Sequence, residues 1–167
     1  MKADKVYLVG FIGAGKSTLA RALATRLHWD ALDIDDLVEA REHETVAALF
    51  ARRGEGYFRT VERAVLVEQL PRRHVVVATG GGTYVDPQNQ ALINRDGLSV
   101  WLDLAFDRAL GRVPLDGRRP LASDRAAFER LFESRRTAYE RAHTRIDAGR
   151  SSADQLAEEL AAWLQQD

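Results

Sequence analysis

Short apolar runs alternate along this chain with longer segments whose hydrophobic residues recur every three or four positions. The runs are typical of buried strands, and the longer segments are typical of helices with one apolar face, as in the spacing of Leu19, Leu23 and Leu27. The predicted strands cover residues 5–9, 29–34, 74–79, 98–104 and 144–148. This alternation predicts an α/β fold in three layers, with a parallel sheet between two layers of helices.

Helices are predicted between the strands, and one segment is predicted as a loop. The predicted helices cover residues 17–28, 37–53 in two pieces, 57–70, 87–94, 106–113 and 125–143, followed by a last helix that Ser151 or Ser152 caps. Gly54 interrupts the helical pattern, and residues 113–124 contain two prolines and adjacent arginines, which favours an exposed, mobile loop. The length of 167 residues predicts a single domain over the whole chain.

The clearest chemical motif is the stretch GFIGAGKST at residues 10–18. It fits the pattern G-x-x-x-x-G-K-[ST] of a phosphate-binding loop, and it stands between a predicted strand and a predicted helix, as that loop requires. Backbone N–H groups and the helix N-terminus would bind a polyphosphate, Lys16 would reach its outer phosphates, and Ser17 would hold a magnesium ion. The predicted nucleotide-binding residues of this loop are Gly13, Ala14, Gly15, Lys16, Ser17 and Thr18.

Two further stretches follow predicted strands. Asp33 and Asp35 come at the end of the second strand, and the glycine run at residues 80–82 follows the third. Ligands of parallel α/β sheets bind outside the carboxyl ends of the strands, so these residues and the glycine loop are expected at one rim. The glycine run predicts a close approach of backbone N–H groups to a ligand, with a flexible turn as the alternative.

Asp33 and Asp35 are candidates for two separate tasks. Alternation along a strand would place both side chains on the same side of the sheet. We assign Asp33 to the magnesium shell, because it lies nearer to the glycine loop, and Asp35 to a second substrate, whose hydroxyl proton it would accept. The alternative is that both acids only cap the helix that follows.

Three arginines are candidates for binding anions. Arg59 stands near the start of a predicted helix, where a cation gains nothing from the helix dipole, and bidentate binding of an anion would explain it. Arg119 could approach a transferred phosphoryl group when the loop at residues 113–124 closes. Arg135 shares its predicted helix with several other arginines. For each of the three, a solvated surface charge is the alternative.

Composition narrows the function further. The formal net charge of −1 gives no basic surplus for nucleic acid or acidic membranes, and the chain has no cysteine for disulfides or thiolate chemistry. The four histidines have no metal-ligand spacing, and the apolar runs are too short to span a bilayer. We therefore expect a soluble, cytoplasmic protein that acts on small molecules, with no nucleic-acid or membrane partner. We also expect it to be a monomer.

In combination, the motifs resemble the shikimate kinase family, within the nucleoside monophosphate kinase-like group of phosphate-loop proteins. The resemblance runs from residue 6 to about 148 and rests on GFIGAGKST, DID at 33–35, GEGYFRTVE at 54–62, ATGGG at 78–82, RRPLA at 118–122, and Arg135 with Tyr139. It implies the strand order 2-3-1-4-5, a mobile lid at about 113–124 and a substrate-binding region at about 34–62. It also implies ATP-dependent phosphorylation of the shikimate 3-hydroxyl, with Mg²⁺, in aromatic amino-acid biosynthesis.

The resemblance also implies roles for individual residues. Asp35 would bind the ring hydroxyls and act as the base, while Arg59 and Arg135 would hold the carboxylate. Lys16 and Arg119 would neutralise the charge that develops during phosphoryl transfer. The other implied contacts are Phe50 and Phe58 as an apolar wall, Gly80, Gly81 and Gly82 along the substrate pocket, and Arg112, Arg119 and Arg150 around ATP.

Two other functions remain compatible with these residues. One is a kinase for a different hydroxylated anion, such as gluconate or a nucleoside monophosphate. Separated arginines beside an acid pair favour a polyol carboxylate over a nucleotide, because nothing is placed to stack a second base. The other is a module that binds nucleotide without turnover, against which the combination of Asp33, Asp35 and Arg119 argues, since a binding module has no use for a base.

Overall fold

The computed structural model describes residues 1–112 and 124–166. Within them, the strands are β1 (Lys5–Val9), β2 (Asp30–Asp33), β3 (Val75–Ala78), β4 (Leu98–Asp103) and β5 (Thr144–Asp147). They form one parallel sheet in the order β2-β3-β1-β4-β5. The predicted α/β fold is therefore confirmed, as is the strand order that the resemblance implied.

The helices of the described residues are α1 (Lys16–Leu27), α2 (Ile34–Glu42), α3 (Val46–Gln69), α4 (Pro87–Asp96), α5 (Phe106–Arg112), α6 (Arg125–Tyr139) and α7 (Ala153–Gln165). A short 3-10 helix, Thr83–Val85, follows β3. Of the two predicted caps, Ser152 begins α7, because its side chain and that of Gln155 form a reciprocal capping box. None of the helices in the described part of the chain is long and apolar enough to cross a membrane.

The inner strands of the sheet are apolar because neighbouring strands and helices cover them. Every residue of β1 and β3 is buried, and Tyr7 pairs with Val77 on one side and Ser99 on the other. The outer strands β2 and β5 contain exposed positions. Parallel strands in such sheets read as continuous hydrophobic runs, which is why the sequence identifies β1 and β3 so clearly.

The boundary between β2 and α2 differs from the prediction. β2 ends at Asp33 and α2 begins at Ile34, so Asp35 lies in the first helical turn. The prediction that strand alternation aligns Asp33 with Asp35 was therefore wrong. The reason is a helix cap: the Asp33 side chain accepts hydrogen bonds from the backbone N–H groups of Asp35 at 2.9 Å and Asp36 at 3.3 Å.

The two-piece helical region is confirmed, with different bounds. α2 ends before Thr45, whose side chain caps α3 by accepting from the N–H of Ala48. α3 then continues to Gln69 with a break at Gly54, where φ is 80° and ψ is 171°, a conformation that favours glycine. α6 ends at Tyr139 rather than at residue 143, because the chain turns there to enter β5.

Candidate active site

The glycine loop between β1 and α1 has the backbone conformation that its sequence predicts. The φ angles of Gly10, Gly13 and Gly15 are 148°, 82° and 96°, in a region that disfavours residues with a side chain. Gly13 also has no room for one, since a Cβ there would lie 2.6 Å from the carbonyl oxygen of Ala109. The loop leads directly into the N-terminus of α1, which provides an anion-binding position.

We expect Gly13→Ala to lower the free energy of unfolding by roughly 1–3 kcal/mol, the usual cost of a disfavoured backbone conformation, and to weaken ATP binding. Denaturant unfolding and a nucleotide titration would measure both effects. Gly111→Ala is the matched control, because Gly111 lies in α5 with nothing within 4 Å of a new Cβ. A Gly13→Ala protein with the stability and ATP affinity of the unmodified chain would show that the loop tolerates a side chain.

Lys16 lies at the base of this loop. Its side chain is buried, and its ammonium group donates hydrogen bonds to the carbonyl oxygens of Gly10 at 2.6 Å and Phe11 at 2.9 Å. A buried ammonium group requires such acceptors, because its desolvation is otherwise costly. The lysine therefore places a positive charge directly beside the loop backbone.

Ser17 and Asp33 connect the glycine loop to the end of β2. The Ser17 hydroxyl donates to Oδ2 of Asp33, while Oδ1 of the same carboxylate caps α2. The two interpretations of Asp33, as a helix cap and as part of a metal site, are thus compatible, because a different oxygen serves each. No cluster of three or more His, Cys, Asp or Glu side chains that could hold a metal is found among the described residues.

The glycine run at residues 80–82 forms a turn after β3, and three charged side chains lie against it. A Cβ built on the first, second and third glycine would lie 2.9 Å from Oδ1 of Asp35, 3.2 Å from Nη1 of Arg135 and 2.7 Å from Nη1 of Arg59. Glycine is needed here because these side chains fill the space that a Cβ would occupy. The structure thus brings the predicted acid and two predicted arginines together.

The same turn touches the glycine loop. A Cβ on Gly81 would lie 2.8 Å from Cγ1 of Ile12, which belongs to the stretch at residues 10–18. The group of charged side chains and the phosphate-binding motif therefore share one rim of the sheet, at the carboxyl ends of β1, β2 and β3.

Arg59 is held by acidic side chains of its own helix. Its Nη1 lies 3.0 Å from Oε1 of Glu62, and its Nη2 lies 3.4 Å from Oε1 of Glu55. Burial acts to lower the pKa of Arg59, but the two carboxylates outweigh it and the pKa is raised. Arg59 is therefore fully charged and fixed in orientation.

Glu62 is the most deeply buried charged side chain of this group. It is 1% exposed and also accepts a hydrogen bond of 2.8 Å from the hydroxyl of Thr83. Burial raises the pKa of Glu62, and the nearby Asp35 contributes in the same direction, although Arg59 and Thr83 oppose the rise. The buried carboxylate is thus stabilised by a guanidinium and a hydroxyl, as a buried charge must be.

Arg135, from α6, faces the same turn but lacks an acidic partner. It is 8% exposed, its burial lowers its pKa, and no carboxylate forms an ion pair with it in the described part of the chain. Its neighbour Arg136 points elsewhere, with Nη1 3.1 Å from Oδ1 of Asp103. A buried guanidinium without a carboxylate is an electrostatically favourable place for an anionic ligand.

Phe50 and Phe58 lie in contact on the two pieces of α3, with ring centroids 4.7 Å apart. Phe58 is buried and Phe50 is half-buried. The Arg59 guanidinium carbon lies 5.2 Å from the centroid of the Phe58 ring. An apolar surface therefore adjoins the charged group, where the resemblance expects it.

A cleft of about 400 Å³ opens beside the glycine loop. Its lining residues are Gly13, Ala14, Gly15, Thr18, Leu19, Leu102, Arg112, Ala148, Ser151, Ser152, Ala153 and Leu156. Arg150 is not among them, since its guanidinium pairs with Glu159 on α7. Arg119 lies outside the described residues, with the rest of segment 113–123.

Comparison with known proteins identifies the family to which this chain belongs. A family model described as "Shikimate kinase" matches residues 12–165. The shikimate kinase of Sulfurihydrogenibium sp. (strain YO3AOP1) is 37% identical over 156 residues, which cover 93% of this chain and 94% of the relative. The chain belongs to the shikimate kinase family. The resemblance drawn from its motifs is therefore confirmed, together with the small-molecule kinase activity and the ATP co-substrate of that family.

Solved shikimate kinases have the same fold. The enzyme from Acinetobacter baumannii in complex with shikimate has a TM-score of 0.92 and 33% identity, and the alignment covers 96% of this chain and 92% of that one. The enzyme from Aquifex aeolicus has a TM-score of 0.86 and 30% identity, with 96% of each chain covered. The deoxyadenosine kinase of M. mycoides with bound dATP, at 15% identity and a TM-score of 0.64, shares the fold alone.

Several residues of this site had no predicted role. Glu62 could have been found from its position three residues after Arg59 on a helical pattern. Ile12 gave no signal, because its contact with Gly81 depends on the tertiary structure. Ser151 and Ser152 were predicted only as candidate caps of the last helix, and with Ala153 they line the cleft beside the glycine loop.

Proposed function

We propose that this chain transfers the γ-phosphoryl group of ATP to the 3-hydroxyl of shikimate, with Asp35 as base and Arg59 and Arg135 as the carboxylate site. The observation that carries the proposal is the convergence of these three side chains on the glycine run at residues 80–82. That run also contacts the phosphate-binding loop, so an acceptor held there would lie next to a triphosphate held at Lys16.

The charges of the group fit a hydroxylated carboxylate. Arg59 is already paired with Glu62, whereas the buried Arg135 has no carboxylate partner in the described residues. A substrate carboxylate placed between the two arginines would provide that missing charge through bidentate hydrogen bonds. Asp35 would then accept hydrogen bonds from ring hydroxyls at the opposite side of the glycine run.

Phosphoryl transfer then follows from positioning and charge. Asp35 accepts the proton of the 3-hydroxyl while the hydroxyl oxygen forms a bond to the γ-phosphorus. The bond between the γ-phosphorus and the oxygen that bridges it to the β-phosphate breaks, and ADP leaves. Lys16 exchanges the loop carbonyls for phosphate oxygens and neutralises the charge that develops on them. The resemblance assigns a similar task to Arg119.

Magnesium is the metal that these residues fit. Ser17 and Asp33 offer hard oxygen donors side by side, and Mg²⁺ typically takes few protein ligands, with substrate phosphates and water completing its shell. Ser17, and Asp33 directly or through water, would hold it, and when bound it would neutralise charge on the phosphate oxygens. The absence of a larger acidic cluster among the described residues agrees with this small ligand set.

The cleft of about 400 Å³ beside the glycine loop is the proposed site of the nucleotide base and ribose. Arg112 and residues 151–153 line it, and it adjoins the loop where the phosphates would lie. Arg150 would have to leave Glu159 to reach a nucleotide there. We further propose that the chain acts as a monomer in the cytoplasm on small molecules alone.

A coupled assay of ADP formation tests the function. The purified chain would be supplied with ATP and Mg²⁺, and with shikimate, gluconate, a nucleoside monophosphate or no acceptor. We expect shikimate alone to raise ADP formation above the rate without acceptor. Stimulation by another acceptor and not by shikimate, or no stimulation at all, would contradict the proposal and favour one of the two alternative functions.

A further inference from the structure

Tyr139, the last residue of α6, places its hydroxyl group inside the site. The side chain is 2% exposed, and the hydroxyl donates a hydrogen bond to the carbonyl oxygen of Gly81. Arg135 lies one turn earlier on α6, so the two side chains project from the same face of the helix. The guanidinium of Arg135 reaches the same glycine, since its Nη1 lies 3.2 Å from the position that a Cβ on Gly81 would occupy. Tyr139 and Arg135 thus meet at one residue of the glycine turn.

The aromatic ring of Tyr139 packs against Trp101. The Trp101 ring lies 6.2 Å from it, centroid to centroid. The guanidinium carbons of Arg136 and Arg145 lie 5.1 Å and 4.9 Å from Trp101, and both arginines bind Asp103. The hydroxyl therefore has a fixed position, set by packing outside the substrate pocket.

The hydroxyl also keeps its proton. Burial raises the pKa of Tyr139, and this effect outweighs the positive charges of Arg135 and Arg59, which act in the opposite direction. At neutral pH the group therefore remains a donor to the carbonyl oxygen of Gly81. Phenylalanine at this position would keep the ring and lose the hydrogen bond to Gly81.

We propose that Tyr139 is a positioning residue for the substrate carboxylate, because its hydroxyl holds the Gly81 turn in place beside the Arg135 guanidinium. The inference rests on the proposed function of Arg135. Arg135 has no carboxylate partner within the described residues, so its orientation before substrate binds depends on its packing against the turn that Tyr139 holds. An arginine that is already oriented loses less conformational entropy when it binds a carboxylate.

The test is steady-state kinetics of Tyr139→Phe with shikimate and with ATP as the varied substrate. A hydrogen bond is worth about 1–1.5 kcal/mol, so we expect the KM for shikimate to rise about five- to tenfold. The kcat and the KM for ATP should change by less than about twofold, because no reacting atom is touched. The unmodified chain is assayed first, and its lack of shikimate-dependent turnover would refute the proposed function rather than this inference.

Two further variants separate positioning from general stability. Tyr7→Phe is the matched control, since Tyr7 is equally buried and its hydroxyl binds Asp96 at 2.5 Å, outside the site. It should leave the KM for shikimate unchanged. In an Arg135→Ala background, Tyr139→Phe should leave kcat/KM for shikimate within about twofold, because the two residues act as one unit. An unchanged KM in the single variant, or a full additional loss in the double variant, would overturn the inference.

Discussion

Asp35→Asn is expected to lower kcat by roughly 10²- to 10⁴-fold, the usual contribution of a general base. The amide keeps the size of the side chain and can still meet the ring hydroxyls, but it cannot accept the proton of the 3-hydroxyl. Oδ1 of Asp35 lies next to the position that a Cβ on Gly80 would occupy, so the isosteric change should leave the turn intact. The KM for ATP should change little, because the phosphate loop is a separate element.

Asp36→Asn is the matched control for this change. Asp36 follows Asp35 in the first turn of α2, and its backbone N–H binds the same Asp33 cap. It is exposed and has no role in the proposed mechanism. Steady-state kinetics of both variants should show the large loss for Asp35→Asn alone. A kcat within about threefold of the unmodified value would remove Asp35 from the role of base.

Arg59→Ala is expected to raise the KM for shikimate by about 30-fold or more, since the loss of one partner of a buried hydrogen-bonded charge pair costs about 2–5 kcal/mol. The effect should lie in substrate binding, because Arg59 would contact the carboxylate and no reacting atom. Glu62 would lose its guanidinium partner, and its pKa, already raised by burial, would rise further. A protonated Glu62 would then leave no unpaired charge in the interior.

Arg63→Ala provides the comparison for Arg59→Ala. Arg63 lies one turn later on α3 and binds Asp86 at 2.5 Å and Oδ1 of Asn89 at 3.0 Å, outside the proposed pocket. Shikimate titrations of both variants, by initial rates and by calorimetry, should separate them clearly. If the affinity for shikimate is the same in Arg59→Ala and Arg63→Ala, the carboxylate site lies elsewhere.

The elements with continuous apolar sequences were predictable. β1 and β3 are buried on both faces, and the loop at residues 10–18 has a fixed pattern of glycine, lysine and serine, so the sequence alone indicates a strand, a turn and an anion site. The end of β2 was not predictable in the same way. Asp33 could continue the strand or cap the helix that follows, and the alternating pattern of residues 32–35 did not show that the cap forms.

The contacts between distant parts of the chain were less predictable. Arg135 and Arg136 are adjacent, and the sequence does not distinguish them. The orientation of α6 places Arg135 against Gly81 and Arg136 beside Asp103. The motif that contains Tyr139 predicted no role for this residue, because its hydroxyl binds Gly81, which lies 58 positions earlier in the chain. The predicted lid and Arg119 remain predictions.

The most direct measurement is a crystal structure of this chain with shikimate and a non-hydrolysable ATP analogue. The account predicts the shikimate carboxylate between Arg59 and Arg135, and the 3-hydroxyl within about 2.6–3.2 Å of Asp35, the reach of a general base. The terminal phosphate should lie beside Lys16 and face that hydroxyl. A bound shikimate whose 3-hydroxyl points away from Asp35 and the phosphate, or whose carboxylate contacts neither arginine, would contradict it.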